Sequence, residues 1–181
     1  MTPRALLPAV LSLVLAAPAM AQQPAPPKKA PPAATEQKNA KPASIGKFDD
    51  WTAATHTEAG QRICYAFTRA QTSTPAMSGR QVILTVTHRA SGRDAVAMEA
   101  GYGYTQNAAV TVHADQTALE FYTAARAAFA RNGRAAIAAF EASARATARG
   151  PGPREMKVVD TFSLKGFAAA YAAISKACPP K

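Results

Sequence analysis

Between about residue 45 and residue 123, short stretches of the chain alternate apolar and polar side chains, which is the pattern of half-buried β-strands. The clearest stretch is residues 62–69, where Cys64 lies on the face opposite the large side chains of Ile63, Tyr65 and Phe67. The pattern predicts that these large side chains face the core. Burial of Cys64 as well would require a bulge, or a strand that is covered on both faces.

Turn signals join the predicted strands into antiparallel hairpins. A Ser-Gly pair lies within residues 90–94, Asp115 and Gln116 separate two apolar stretches, and the sequence Gly-Pro-Gly-Pro occupies residues 150–153. Residues 71–80 are polar and are predicted to form a loop. The predicted hairpins join residues 81–89 to 95–100, residues 109–113 to 118–123, and residues 143–149 to 154–160.

Helical periodicity is found in two stretches. After Asn132 and Gly133, residues 134–142 favour a short internal helix. Near the C terminus, Ser163 is a suitable N-cap for a second helix, whose apolar residues recur at intervals of three and four. This stripe consists of Leu164, Phe167, Tyr171, Ile174 and Cys178. The chain is therefore predicted to form a mainly β domain with a short internal helix and a C-terminal helix packed on it.

The N-terminal residues do not have the composition of a folded domain. Residues 1–21 combine Arg4, a short apolar run and the sequence Ala-Met-Ala, which together are typical of an export signal peptide. Residues 22–44 are rich in Pro, Ala and Lys and contain no aromatic residue, so we expect a disordered linker there. The folded domain is predicted to span residues 45–181. The apolar run in residues 1–21 is too short for a membrane span and no second run of about twenty apolar residues exists, so no transmembrane segment is expected in the mature chain.

Export changes the interpretation of the cysteines, because oxidising compartments favour disulfides. The chain contains 2 cysteines, Cys64 and Cys178, which allows one intramolecular bridge. Such a bridge would tie the C-terminal helix to the strand that contains Cys64. The alternative is a pair of free, buried thiols.

The chain carries a formal net charge of +10. Loss of residues 1–21 would remove one arginine and no acidic residue, so the excess of positive charge remains. A basic surface attracts anionic lipid head groups, lipopolysaccharide and acidic host glycans, whereas nucleic acid is not expected as a partner of an exported protein. The alternative is a charge excess that only keeps the protein soluble. The third hairpin should gather a candidate anionic-ligand patch of Arg145, Arg149, Arg154 and Lys157.

Motifs that would indicate catalysis, a metal or a cofactor are missing from the sequence. No G-x-S-x-G motif occurs. Two carboxylate pairs, Asp49 with Asp50 and Asp94 with Glu99, could act as acid and base, but their spacing does not require them to meet. The histidines lie far apart and outside any metal-binding spacing, as His56, His88 and His113. We therefore predict no metal, no cofactor and no enzymatic activity.

Glycine and tyrosine alternate over residues 101–104. This stretch lacks the spacing of a phosphate-binding glycine loop. The alternation predicts a bend at a strand end with two exposed rings. Tyr102 and Tyr104 are therefore a candidate contact for a partner protein.

Several of these residues resemble a known family. Residues 160–167, with the sequence Asp-Thr-Phe-Ser-Leu-Lys-Gly-Phe, are similar to the closing segment of the invasion-associated locus B family, as are the helix after them and residues 174–178. The resemblance covers about residues 46–178. Upstream, the same pattern includes Trp51 after an acidic pair, Cys64, Thr87-His88-Arg89 and Gly101-Tyr102.

The resemblance implies an immunoglobulin-like antiparallel β-sandwich, export into the envelope of a Gram-negative bacterium, and an association with host-cell invasion. It also implies a disulfide between the two cysteines, and it carries no catalytic residue over to this chain. Residues 124–153 depart from the family pattern, which usually has a tryptophan near Phe129 and a longer aliphatic helix in place of residues 135–142.

Together these features predict an exported, non-enzymatic binding protein, in the periplasm, secreted or at the cell surface, that contacts an anionic envelope or host-surface component. An alternative is a structural or stress-related periplasmic protein with protein partners. A weaker alternative is a hydrolase of cell-wall or glycan material, which would need a cleft with two carboxylates in catalytic reach.

Overall fold

Eleven β-strands and two α-helices make up residues 41–180, the part of the chain that the computed structural model describes. The predicted signal peptide and the predicted linker up to residue 40 lie outside the described residues. The strands are β1 (Ala43–Phe48), β2 (Trp51–Glu58), β3 (Gln61–Arg69), β4 (Thr72–Thr74), β5 (Ile83–Arg89), β6 (Gly92–Glu99), β7 (Ala109–Ala114), β8 (Thr117–Ala124), β9 (Ala127–Ala130), β10 (Arg145–Pro151) and β11 (Lys157–Ser163). The helices are α1 (Gly133–Glu141) and α2 (Phe167–Ala177).

The strands form one continuous antiparallel sheet in the order β1-β2-β3-β5-β6-β9-β8-β7-β10-β11-β4. Only Ala70 and Gln71 join β3 to β4, although β4 is the last strand in this order. The Ala70 N–H donates to the carbonyl of Val82, and the Gln71 N–H donates to the carbonyl of Thr161 in β11. So short a connection cannot cross a flat sheet of this width. The sheet therefore curls back on itself in a sandwich-like arrangement, and the predicted mainly β, antiparallel fold with two helices is confirmed.

The core lies inside the curled sheet and is closed by the helices. Helix α2 packs on β1, β2, β3 and β5, and α1 packs on β6 and β8. Trp51 is fully buried, its Nε1 donates to the carbonyl of Ser163 at 3.0 Å, and its ring meets that of Phe167 edge-on at 4.9 Å. One indole ring thus connects β2 to the end of β11 and to α2.

Strand β3 faces the core with its small side chains. Cys64 and Ala66 are fully buried, whereas Tyr65 and Phe67 are only half-buried on the outer face. The space beneath α2 is filled by large rings from other elements, so only small side chains of β3 fit there. The predicted orientation was therefore wrong for Tyr65 and Phe67, and no bulge is needed to bury Cys64.

The three predicted hairpins are present as β5–β6, β7–β8 and β10–β11. The sequence does not predict β4, which lies in the stretch expected to be a polar loop, or β9, which consists of alanine and one phenylalanine. Strand β1 begins at Ala43, two residues before the predicted start of the domain. Its residues are largely exposed, so the strand lacks the apolar signal that would mark its first residues.

The start of α2 differs from the prediction. Ser163 belongs to β11 and accepts a hydrogen bond from the Lys165 N–H, and the helix begins at Phe167 with Gly166 as its N-cap. Gly166 has φ of 86°, and a Cβ there would lie 2.0 Å from the Phe48 carbonyl oxygen. The close approach of β1 therefore requires glycine at this turn. Helix α1 starts within one residue of the prediction, because the Asn132 side chain accepts from the Ala135 N–H.

Within residues 41–180, neither helix combines the length and the apolar composition that a membrane-crossing helix requires.

Candidate functional site

The β10–β11 hairpin carries three basic side chains on one exposed surface. Ala146 and Ala148 point into the core, so Arg145 and Arg149 point outward. Across the hairpin, Lys157 is opposite Pro151, and Val159 is opposite Arg149. Lys157 is therefore a diagonal neighbour of Arg149 on the same face. On strand geometry Arg145 and Arg149 are ~13 Å apart, and the diagonal pair Arg149 and Lys157 is ~7 Å apart. We call the surface formed by Arg145, Arg149 and Lys157 the basic hairpin face.

Arg154 lies at the tip of this hairpin, in a short 3₁₀ turn formed by Pro153–Glu155. A shallow depression of about 320 Å³ lies beside the turn and is lined by Arg149, Lys157 and Glu155. None of the four predicted patch residues forms a salt bridge with another described residue. The structure thus brings Arg149 and Lys157 close together, with Arg145 farther along the same face and Arg154 at the tip.

Hydroxyl groups lie between the basic side chains. Thr147 and Thr161 face each other on the outer side of β10 and β11, and Thr111 of β7 is opposite Arg149. These threonines are only partly buried. The basic hairpin face therefore offers hydroxyl donors and acceptors as well as positive charge.

Tyr102 and Tyr104 form a packed cluster with Arg80. Their rings meet edge-on at 5.2 Å, and the Arg80 guanidinium lies 4.9 Å from the centre of the Tyr102 ring. The Tyr102 hydroxyl donates to the Pro151 carbonyl at 3.1 Å. Burial raises the pKa of Tyr104, whose hydroxyl has no hydrogen-bond partner among residues 41–180. The expectation of two exposed rings was wrong, because both rings are partly buried: Tyr102 lies against Arg80, and Tyr104 packs against the hydrophobic core.

Arg80 also forms a buried ion pair that sequence patterns do not reveal. Its guanidinium makes two hydrogen bonds to the Asp160 carboxylate, at 2.8 and 2.7 Å, and a third to the Ala100 carbonyl. The exposed fractions of the two side chains are 5% and 3%. Ser73 donates to the same carboxylate at 2.6 Å. This network fixes β4 and the loop that follows it to β11, at the first residue of the segment 160–167 that carries the family resemblance.

The predicted disulfide between Cys64 and Cys178 is present, with a Cα–Cα distance of 6.0 Å. The alternative of two free thiols is therefore wrong. The bridge joins the inner face of β3 to the end of α2. Arg93 adds a hydrogen bond from its guanidinium to the Cys178 carbonyl.

His88 lies in a buried polar cluster beside the disulfide. Its Nε2 is 3.0 Å from the Ser175 Oγ, and its Nδ1 accepts from the Asp94 N–H at 3.2 Å. Tyr171 donates to the Asp94 carboxylate at 2.8 Å. Serine, histidine and aspartate together suggest a catalytic triad, but the proton must lie on Nε2 because Nδ1 is an acceptor. That nitrogen then donates to Ser175 and cannot accept its proton, so the arrangement fits a structural role.

The outer face of β3 and β5 forms a groove of about 830 Å³ that contains the rings of His56, Tyr65 and Phe67. Its acidic residues, Glu58 and Glu99, lie at opposite ends: Glu58 contacts Arg89 at the end of β5 and Glu99 is opposite Ile83 at its start, so about six residues or ~20 Å of strand separate them. A glycosidase needs its two carboxylates within ~10 Å. The groove therefore does not supply the carboxylate pair that the hydrolase alternative requires.

Within residues 41–180, no three His, Cys, Asp or Glu side chains are grouped closely enough to hold a metal ion. The described side chains thus offer no metal centre around which a site could be built.

Comparison with known proteins links this fold to one family. The family model for the invasion associated locus B (IalB) protein matches residues 51–175. Curated protein sequences yield no match. Among solved structures, the crystal structure of invasion associated protein B from Bartonella henselae is similar, with a TM-score of 0.56 at 16% sequence identity over 73% of this chain and 95% of that chain. Such a likeness shows a shared fold. Because the family model spans more than half of the sequence, the chain belongs to the invasion-associated locus B family.

Proposed function

We propose that this protein is an exported, non-enzymatic binding protein of the bacterial envelope, which contacts an anionic envelope or host-surface component through the basic hairpin face. Membership of the invasion-associated locus B family supports an invasion-associated envelope protein. The disulfide supports export, because such bridges persist in oxidising compartments, here the periplasm or the cell surface. The observation that carries the binding proposal is the register of β10 and β11, which aligns basic side chains without salt-bridge partners.

The basic hairpin face is built on a rigid part of the sheet. Strand β10 is hydrogen-bonded to β7 on one side and to β11 on the other, and its alanines are buried in the core. A backbone that is held in this way loses little conformational entropy when a ligand binds. Positive charge and threonine hydroxyls on one face match a ligand that carries both anionic groups and hydroxyls, such as a sulfated or phosphorylated glycan.

A pair of charge-reversal variants tests this proposal. Arg149→Glu reverses a charge at the centre of the basic hairpin face, and Lys47→Glu makes the same change on the exposed edge strand β1. Binding to immobilised heparin and to lipopolysaccharide should weaken severalfold or more with Arg149→Glu and change little with Lys47→Glu. Because exposed charges are screened by salt, the difference should shrink as salt is added. Equal loss in both variants would mean that only the net charge matters, and the proposal would be wrong.

A further inference from the structure

A recess of about 460 Å³ lies where β3, β5 and β6 meet the end of α2. Three arginines from three different strands line it: Arg62 from the start of β3, Arg89 from the end of β5, and Arg93 from the start of β6. We call this recess the arginine pocket. It shares no residue with the basic hairpin face. Arg89 and Arg93 flank the same turn, but Arg62 comes from a distant stretch of the chain, so the three arginines form no local motif.

The acidic groups near the arginine pocket do not neutralise it. Glu58 lies 3.6 Å from Arg89, but both side chains are largely exposed, which makes such a pair weak. Asp94, next to Arg93 in the chain, accepts a hydrogen bond from the Tyr171 hydroxyl and does not line the pocket, so three lining arginines stand against two nearby carboxylates. Arg62 forms no salt bridge with any residue in 41–180. The pocket therefore keeps an excess of positive charge.

Arg93 is held in place at the disulfide. Arg93 donates to the carbonyl of Cys178, and Cys178 is bonded to Cys64, two residues from Arg62 on the same strand. The disulfide thus connects the residue that anchors Arg93 to the strand that carries Arg62. A guanidinium that is positioned before a ligand arrives, as that of Arg93 is, needs less ordering when the ligand binds.

We propose that the arginine pocket binds a phosphate monoester. A guanidinium presents paired N–H donors that match the oxygens of a phosphate, and two or three of them balance its double negative charge. The turn at Ser91 adds a hydroxyl at the rim. Ala177, Pro179 and Pro180 form an apolar wall, so the pocket also contacts the group that carries the phosphate. Its volume lies in the range of small-molecule sites.

Two probes distinguish the sources of such a group. Glucose 1-phosphate presents the monoester on a soluble sugar, with glucose as its control. Vesicles that contain phosphatidic acid present it on a membrane, with phosphatidylglycerol vesicles, which carry a diester, as the control for surface charge. Calorimetry or vesicle sedimentation of the oxidised wild-type protein should show saturable binding of at least one monoester, tighter than that of its control.

The variant Arg62→Gln should weaken this binding about tenfold, which is the effect of losing one hydrogen-bonded charge. Arg62 is exposed, so the variant should fold normally, which its unfolding midpoint checks. Lys47→Gln is the matched control: it removes one exposed positive charge on β1, outside both the arginine pocket and the basic hairpin face, and should leave monoester affinity unchanged. The proposal is overturned if neither monoester binds better than its control, or if the two variants weaken binding equally. Heparin binding by the Arg62→Gln protein is measured as well, because it tests the basic hairpin face and not the arginine pocket.

Discussion

Replacement of both Cys64 and Cys178 with alanine should lower the free energy of unfolding by ~3–5 kcal/mol. The two cysteines are separated by 114 residues. In the chain-entropy model, closing a loop of this size lowers the entropy of the unfolded chain, which raises the free energy of unfolding by about 4.8 kcal/mol at 25 °C. Native disulfides contribute this amount or somewhat less. The variant uses alanine and not serine because Cys64 is fully buried. A serine hydroxyl buried there without a hydrogen-bond partner would itself lower stability.

Guanidinium unfolding followed by circular dichroism measures this effect. The oxidised wild type should unfold at a higher denaturant concentration than the double variant, and reductant should lower the wild-type midpoint almost to that of the variant. Without the bridge the unfolded chain exposes more surface, so the m-value should rise. For a domain of this size the melting temperature should fall by roughly 10–15 °C. If the melting temperature of the double variant lay within ~2 °C of that of the oxidised wild type, the bridge would not stabilise the packing of α2, and the reasoning would be refuted.

Two further perturbations test the buried polar groups. Asp160→Asn leaves the Arg80 charge buried without its partner and should lower the free energy of unfolding in denaturant titrations by ~3–5 kcal/mol. Glu58→Gln, which breaks an exposed pair, should cost less than ~1 kcal/mol, and equal effects would contradict the buried network. Burial, and then the charge of Arg93, lower the pKa of His88, so the unfolded chain binds more protons near and below the ordinary histidine pKa of ~6.5. Stability should therefore be constant above that pH and decline below it. Denaturant titrations across pH should show a weaker decline for His88→Gln, and an unchanged profile would contradict this assignment.

The elements that the sequence predicts correctly are those with a local signal. Strand alternation and turn residues locate three hairpins, since each is closed by a short turn within the same stretch of chain. The internal helix is predicted because helical periodicity resumes after the break at Asn132 and Gly133. The disulfide follows from cysteine count and the expectation of export.

The features that the sequence does not predict depend on distant residues. Tyr65 and Phe67 carry a strong strand pattern, yet rings from β2 and α2 take the core space and leave them on the outer face. Ser163 has the properties of an N-cap, but the N-cap of α2 is Gly166, where the close approach of Phe48 requires glycine. Periodicity describes one segment of the chain. It carries no information about residues elsewhere in the sequence that compete with that segment for the same space in the core.

The candidate sites also differ in whether their residues are close together or distant in the sequence. The basic hairpin face comes from two adjacent strands, so its residues can be grouped from sequence, whereas the arginine pocket draws on three strand ends. The Arg80–Asp160 pair connects residues 80 apart and has no local pattern. The sequence also predicts exposed rings at Tyr102 and Tyr104, because nothing nearby in the sequence indicates that Arg80 covers Tyr102 and that Tyr104 packs against the core.

The most direct test of the proposed function is an NMR titration of the isotope-labelled mature protein with a heparin oligosaccharide. The amide shifts should change most along β10 and β11, around Arg149 and Lys157, and these changes should diminish as salt is added. The Arg149→Glu protein should show much smaller changes at the same amides. Shift changes that concentrate elsewhere, or that persist unaltered in Arg149→Glu, would contradict the assignment of the basic hairpin face as the binding surface.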